Sequence, residues 1–276
     1  MTQLTGERPL VGKTPDSLLA LHAAGYREVR ARLGSGLVVD FGCGTGEESV
    51  GFTGPGRQVV GTDYDLQAAS SARQAHAAMG LRVIASDACA CAVGTGLAGW
   101  ACSSHLIEHF ADPEPHVAEL ARVLSPEGTA FVITPNAPAD FENPFHLYPF
   151  TKTSLASMLS RYFGSVWVGG LEASGAVKLD LDRRRRKGRR LLALDVLNLR
   201  HRIPRSWYVA AYEKLLPLAY RLVARSDVGG STGFSADDFF VTNEVGDSTL
   251  VLFAIAGRPL RAGRRGGLAG PGGEAD

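Results

Sequence analysis

The residues best suited to chemistry in this 276-residue chain fall into three groups. In the first, residues 38–49 (VVDFGCGTGEES) place Asp40 at the end of an apolar run, with Gly42, Gly44 and Gly46 at alternate positions behind it. Glycine admits backbone conformations closed to other residues and lets a ligand lie against the main chain. The carboxyl edge of a parallel sheet is where an α/β fold opens its crevice. This spacing differs from the dinucleotide fingerprint G-x-G-x-x-G, in which the third glycine comes one position later. In the second group, acids end two further apolar runs: Asp63 in VVGTDYD and Asp87 in IASDA. An acid about 20 residues beyond such a loop can accept both hydroxyls of a ribose, which is the place of Asp63. In the third group, His105, Glu108 and His109 share the segment SSHLIEHF, and His146 follows in ENPFHLYPFT. A neutral imidazole takes up a proton near neutral pH.

The elements that must position these residues follow from hydrophobic spacing. Apolar runs at residues 37–41, 58–62, 82–85, 100–103 and 130–134 read as buried strands. Helical spacing over 17–33, 66–79 and 115–124 alternates with them, which predicts right-handed crossovers and a mostly parallel sheet. A helix over 151–163 behind Thr151 and Thr153, a strand at 166–168 and a final strand at 249–256 complete the pattern. The expectation is an α/β Rossmann-like fold of seven strands with helices on both faces. Its parts are an N-terminal helical cap (1–36), a core (37–170), a basic helical insertion (171–248), a last core strand (249–257) and a disordered Gly/Pro/Arg-rich tail (258–276).

In this order, the glycine loop and the acids after strands two and three resemble the class I S-adenosylmethionine-dependent methyltransferases, over residues 37–170 and the last strand. The resemblance implies that S-adenosylmethionine is the cofactor. It puts Asp40, Gly42, Gly44 and Gly46 beside the methionine part, Asp63 at the ribose and Asp87 by the adenine amine. The run SSHLIEHFADPEPHVAELARVLSPEGTAFVITPN resembles the branch that includes the ubiquinone-type O-methyltransferases. The opening residues and ENPFHLYPF are similar to bacterial methyltransferases of polysaccharide and glycolipid assembly, which favours a sugar or glycan hydroxyl as acceptor. Methyl transfer to a hydroxyl requires a base for its proton, and His109 or His146 is the expected one, with His105 beside them. The small-RNA terminal 2′-O-methyltransferases carry E-x-x-E-H and a later histidine that bind a divalent metal. Here His105 replaces the first acid, so a metal on His105, Glu108, His109 and His146 stands as an alternative to a metal-free base. Carbon or nitrogen methylation, a nucleotide-binding oxidoreductase and a non-catalytic cofactor-binding scaffold are the competing functions.

The charges narrow the partners. Lys+Arg 29 against Asp+Glu 28 leaves a net charge of +1, too balanced for a protein that covers nucleic acid with positive charge. Residues 182–225 nevertheless hold 13 Lys or Arg against 3 Asp or Glu, including the run RRRRKGRR at 183–190. A leucine-rich helix at 191–199 and a second, carrying Tyr208, Tyr212, Leu215, Ala219 and Leu222 on one stripe, are expected there. Such a basic hairpin suits an anionic membrane surface or an anionic group on the substrate. The thin aromatic content ranks RNA last. No run spans a bilayer and no secretory signal opens the chain, so the expected location is cytoplasmic, with peripheral membrane contact as an option. Cys43, Cys89, Cys91 and Cys102 lack paired spacing and read as reduced thiols.

Overall fold

The computed structural model describes residues 14, 16–140, 145–175, 177–180 and 233–260. Among them eight strands form one sheet: β1 (Gly36–Phe41), β2 (Arg57–Asp63), β3 (Leu81–Ala85), β4 (Ala98–Ser104), β5 (Leu124–Pro135), β6 (Phe163–Ala173), β7 (Phe239–Thr242) and β8 (Val251–Pro259). Four helices accompany them: α1 (Asp16–Arg30), α2 (Leu66–His76), α3 (Glu114–Val123) and α4 (Lys152–Leu159). The strand order is β3-β2-β1-β4-β5-β8-β6-β7. Strands β1 to β5 pair in parallel, while β8 runs antiparallel between β5 and β6. The fold is thus Rossmann-like, with its order reversing between β1 and β4. The carboxyl ends of those two strands diverge there, which opens the crevice.

Side-chain alternation assigns each strand residue to one of two cores. Val38, Val59, Phe131, Ile133 and Phe253 face α1 and α2, meeting Ala20, Leu21, Ala24, Ala69 and Ala72. Val39, Val60, Val132, Leu252 and Ala254 face α3 and α4, meeting Val117, Leu120, Leu155 and Met158. Both faces are covered, which is why β1 and β2 read as continuous apolar runs.

Helix starts follow capping chemistry. The Asp65 carboxylate accepts the amides of Gln67 and Ala68 at the start of α2. Thr151 accepts from Ser154 in a reciprocal capping box at the start of α4. Several expectations are corrected by the structure. The sheet has eight strands, because residues 239–242, placed by sequence inside a helical insertion, pair with β6 as an edge strand. Helix α4 stops at Leu159, and Phe163 already begins β6, which runs on to Ala173. Strand β8 continues to Pro259, so residues 258 and 259 belong to the sheet and not to a disordered tail. The opening phrase, the arginine run at 183–190, the helices expected at 191–199 and 208–225 and the tail from 261 lie outside the described residues. No helix among the described residues is long and apolar enough to cross a membrane. Among the described residues the four cysteines form no disulfide with one another, and three of them are buried.

Candidate functional site

The crevice is built first by the loop that leaves β1. Gly42, Gly44 and Gly46 all have positive φ, of 72°, 56° and 80°. At Gly46 space enforces glycine as well: a Cβ there would stand 2.8 Å from Leu81 Cδ2 and 3.1 Å from the His76 ring. Backbone amides tie the loop to β2, those of Gly42 and Cys43 donating to Thr62 O at 2.8 and 2.9 Å. The amide of Gly44 donates to Asp63 Oδ2 at 2.9 Å, and that of Asp65 to Asp63 Oδ1 at 2.9 Å. These bonds fix the Asp63 carboxylate at the mouth of β2. Asp87 is exposed beyond β3, where its Oδ1 accepts from the Cys89 amide.

Asp40 lies elsewhere. It is fully buried, and its carboxyl accepts from Ser49 Oγ and from Tyr26 Oη of α1. Burial, opposed by those hydrogen bonds, pushes its pKa up to about 7 from 3.8. A carboxyl that holds its proton more tightly when folded stabilises the fold fully below its unfolded pKa, and that contribution is lost as pH rises through the folded value. Between about pH 5 and 8 the unfolding free energy of the wild type is expected to fall by about 2–3 kcal/mol relative to Asp40→Asn. Denaturant titrations at both pH values measure it, and a constant difference between the two proteins contradicts the shift.

The other wall follows β4. The sequence left open a helix joining His105 to Glu108; instead His105 takes a left-handed φ of 50°, and the 3₁₀ turn starts later, spanning Ile107–His109. The Leu106 side chain packs over Gly42, where a Cβ would meet its Cδ1 at 3.1 Å, so the histidine segment abuts the glycine loop. Glu108 is 2% exposed, and its Oε2 accepts from Thr134 Oγ1 at 3.0 Å. Its Oε1 lies 3.5 Å from His105 Nδ1 and accepts no hydrogen bond among the described residues. Burial pushes the Glu108 carboxyl up, but His105, His109 and His146 together hold it below the usual value. The Glu108 carbonyl accepts the amides of Leu147 and Tyr148, which brings the loop carrying His146 onto this turn.

His109 and His146 meet edge to face, with ring centroids 5.3 Å apart. Each has its Nδ1 engaged, that of His109 with Phe145 O at 3.0 Å and that of His146 with Asp140 Oδ2 at 2.6 Å. A carbonyl or carboxylate only accepts, so Nδ1 carries the hydrogen and Nε2 holds the basic lone pair of each neutral ring. Burial pulls the His146 pKa down, but the Asp140 bond and the Asp140 and Glu108 charges outweigh it and raise the pKa. Ligating atoms of Glu108, His109 and His146 all lie within 4.8 Å of one another. His105 is not part of that set.

Sequence reasoning missed three participants. His22 of α1 lies against His105, ring centroids 4.1 Å apart, and burial followed by His105 and His146 drives its pKa well down. Asp140 orients His146, and Tyr64, 68% exposed, stands next to Asp63 as a flat apolar face. None has a periodic local signal: His22 meets a ring far along the chain, Asp140 meets a histidine six positions on at neither helical nor strand spacing, and Tyr64 stands out by exposure alone.

Residues 39–132 match a family model described as a methyltransferase domain. A Mycolicibacterium smegmatis protein, described as a probable S-adenosylmethionine-dependent methyltransferase, is 26% identical over 186 residues, 64% of this chain and 72% of that one. Among solved structures, a Thermotoga maritima methyltransferase, described as a possible histamine N-methyltransferase, aligns with TM-score 0.55 at 15% identity, covering 87% of this chain and 90% of its own. The [4+2]-cyclase SpnF aligns with TM-score 0.55 at 15% identity, covering 89% and 82%. The Haemonchus contortus phosphoethanolamine N-methyltransferase 2 aligns with TM-score 0.52 at 15% identity, covering 85% and 52%. At such identities these structures speak for the fold, and a cyclase among them shows how far chemistry varies upon it. With the methyltransferase-domain match lying over the glycine loop, the acids and the histidine turn, the chain is an S-adenosylmethionine-dependent methyltransferase.

Proposed function

We propose that this methyltransferase acts on a hydroxyl oxygen of a sugar, glycan or other small molecule. The observation that carries the reading is the pair His109 and His146. Both have Nδ1 tied back and Nε2 basic; His109 stands on the turn that packs against the glycine loop, and His146 on the loop that docks on that turn. An amine acceptor can react as its free base, whereas a hydroxyl must lose a proton as its oxygen attacks, so a tied pair of histidines serves a hydroxyl best.

The residues of the crevice fit the cofactor. Asp63 presents a carboxylate, held by two amides, to ribose hydroxyls, and Asp87 lies exposed for the adenine amine. Tyr64 offers an apolar face suited to a purine ring. Gly42, Gly44 and Gly46 keep the main chain low beneath the methionine part. Asp40 acts from below, pinning the loop to α1 and the following turn through Tyr26 and Ser49. When bound, S-adenosylmethionine supplies an electrophilic methyl group on a sulfonium. His109 or His146 takes the hydroxyl proton at Nε2, and Asp140 stabilises the imidazolium that forms on His146. His105, next to them, packs between His22 and Glu108. The arginine run at 183–190 supports a surface that meets an anionic membrane carrying a lipid-linked acceptor.

The test is transfer of labelled methyl from S-adenosylmethionine into a source-cell lysate fractionated into lipids, soluble glycans, RNA and protein. Label in lipid or glycan as an acid-stable O-methyl ether is expected. Label on nitrogen or carbon overturns the hydroxyl reading, and label in RNA or protein overturns the small-molecule or glycan acceptor.

A further inference from the structure

Residues 86–97 join β3 to β4 without a helix or strand of their own, where a crossover between parallel strands usually carries a helix. The segment bears Asp87, so its carboxylate is placed by whatever holds the segment from outside. That support comes from one face of α3. His116, fully buried, donates from Nδ1 to Ala88 O at 2.9 Å, the residue next to Asp87. Glu119 Oε1, one turn on, accepts the Cys91 amide at 2.6 Å, and Arg122, a further turn on, donates to Cys91 O and Val93 O at 2.9 and 2.7 Å. Residues spaced three apart are neighbours on a helix surface, so the three side chains act from one side.

His116 joins this segment to both walls of the crevice. A carbonyl only accepts, so Nδ1 carries the hydrogen, and Nε2 accepts from Ser103 Oγ at 2.9 Å near the end of β4. Burial drives its pKa down to about 4, against the Ala88 bond and the charges of Glu119, Asp87 and Glu108, so the ring is neutral and keeps this tautomer. The ring lies against Phe41 at the end of β1, centroids 5.4 Å apart, and against Phe110 behind the histidine turn, 5.2 Å apart. Asp87 Oδ1 is already taken by the Cys89 amide. How well Oδ2 meets an adenine amine therefore depends on where the segment is held.

We propose that His116, supported by Glu119, is a positioning residue that sets selectivity for the adenine of the cofactor. Its hydrogen bond to Ala88 O holds Asp87 where a carboxylate oxygen accepts from the exocyclic amine. The inference rests on the reading of Asp87 as the partner of that amine and deepens it. It leaves the Nε2 atoms of His109 and His146 free for the acceptor.

The experiment titrates the full chain calorimetrically with S-adenosylhomocysteine and with its hypoxanthine analogue, in which an oxygen replaces the adenine amine. The wild type is expected to prefer adenine by about 10–100-fold, the worth of one hydrogen bond to a charged group. Asp87→Asn loses most of that preference, because an amide serves an amine and a carbonyl alike. Two variants of His116 separate the bond from the ring. Asparagine brings its NH₂ group near the place of Nδ1 and keeps the donation to Ala88 O, whereas glutamine reaches the place of Nε2 and keeps only the bond with Ser103. Both forfeit the packing on Phe41 and Phe110. His116→Asn keeps the wild-type preference to within about threefold, and His116→Gln lowers it by about tenfold. A merely structural role would weaken both ligands alike and leave the ratio unmoved. Thermal unfolding is followed in each variant, and Glu119→Ala, which releases the Cys91 amide and lowers the preference by about threefold or more, keeps the test open where a His116 variant fails to fold. A preference lost in Asp87→Asn but retained in His116→Gln, or in Glu119→Ala where that variant does not fold, overturns the positioning role alone. Equal loss in His116→Asn and His116→Gln overturns it too, because the ring and not the bond then matters. No preference in the wild type overturns the reading of Asp87 and the proposal with it.

Discussion

Alanine at His109 or at His146 lowers turnover by about 10²–10⁴-fold, the range for loss of a positioned proton acceptor, while affinity for S-adenosylhomocysteine stays within about twofold. The separation follows from the geometry. Both side chains reach the crevice from the turn after β4 and the loop behind β5, whereas the groups offered to the cofactor stand on the loop after β1 and at the ends of β2 and β3. The loss therefore falls on kcat and leaves cofactor binding intact. Asp140→Asn is expected to fall between wild type and His146→Ala, since the amide can offer its NH₂ group to Nδ1 and favour the wrong tautomer. Turnover at the wild-type level in both histidine variants would falsify the assignment of the proton, whichever acceptor is used.

The second large effect is expected at Gly46→Val. The residue has φ of 80°, and a Cβ would press on Leu81, His76 and Ala72 at 2.8, 3.1 and 3.2 Å. A left-handed conformation costs a non-glycine residue roughly 1–2 kcal/mol and overpacking about 1–3 kcal/mol more. A destabilisation of about 3 kcal/mol lowers Tm by about 6–12 °C in a domain of this size. Because the same loop carries the Gly44 amide that orients Asp63, S-adenosylhomocysteine affinity falls at least tenfold as well. Gly54→Ala is the matched control: its φ is not in the left-handed region and nothing lies within 4 Å of its Cβ position, so both readouts stay at wild-type values. Equal effects of the two substitutions in calorimetry and thermal melts contradict the account of the loop.

What the sequence made legible, and what it hid, follows from where the signal lies. Strands β1 and β2 were placed to within a residue at each end, since helices cover both faces and the central positions Val38, Val39, Val59 and Val60 are apolar. The glycine loop was legible because a positive φ at three alternate residues restricts residue type at those positions. Strand β7 was hidden: four residues between Asp238 and Asn243 are too short for a periodic pattern, and only the exposed edge of β6 makes them a strand. The antiparallel direction of β8 was not legible either, because an apolar run reads the same in both directions. At the site, His105, Glu108, His109 and His146 were named as one set on a family resemblance, and the fold brings the last three together and leaves His105 out. The place of His105 was less clear in sequence, where i,i+3 spacing suggested one helical face; the left-handed turn at His105 breaks that spacing and sends its ring toward His22. Asp40 illustrates the limit of a motif. It lies in β1 just ahead of the glycine loop, and its carboxyl points into the core, where Tyr26 from an element some 14 residues earlier meets it.

The central claim, that the crevice between β1 and β4 takes S-adenosylmethionine, is tested most directly by calorimetric titration of the full chain with S-adenosylhomocysteine, and separately with NAD and NADP. Binding of one S-adenosylhomocysteine per chain, lost in Asp63→Ala and absent for both nicotinamide cofactors, is the predicted result. Binding of NAD or NADP in its place, or S-adenosylhomocysteine binding indifferent to Asp63, would contradict the assignment of this crevice.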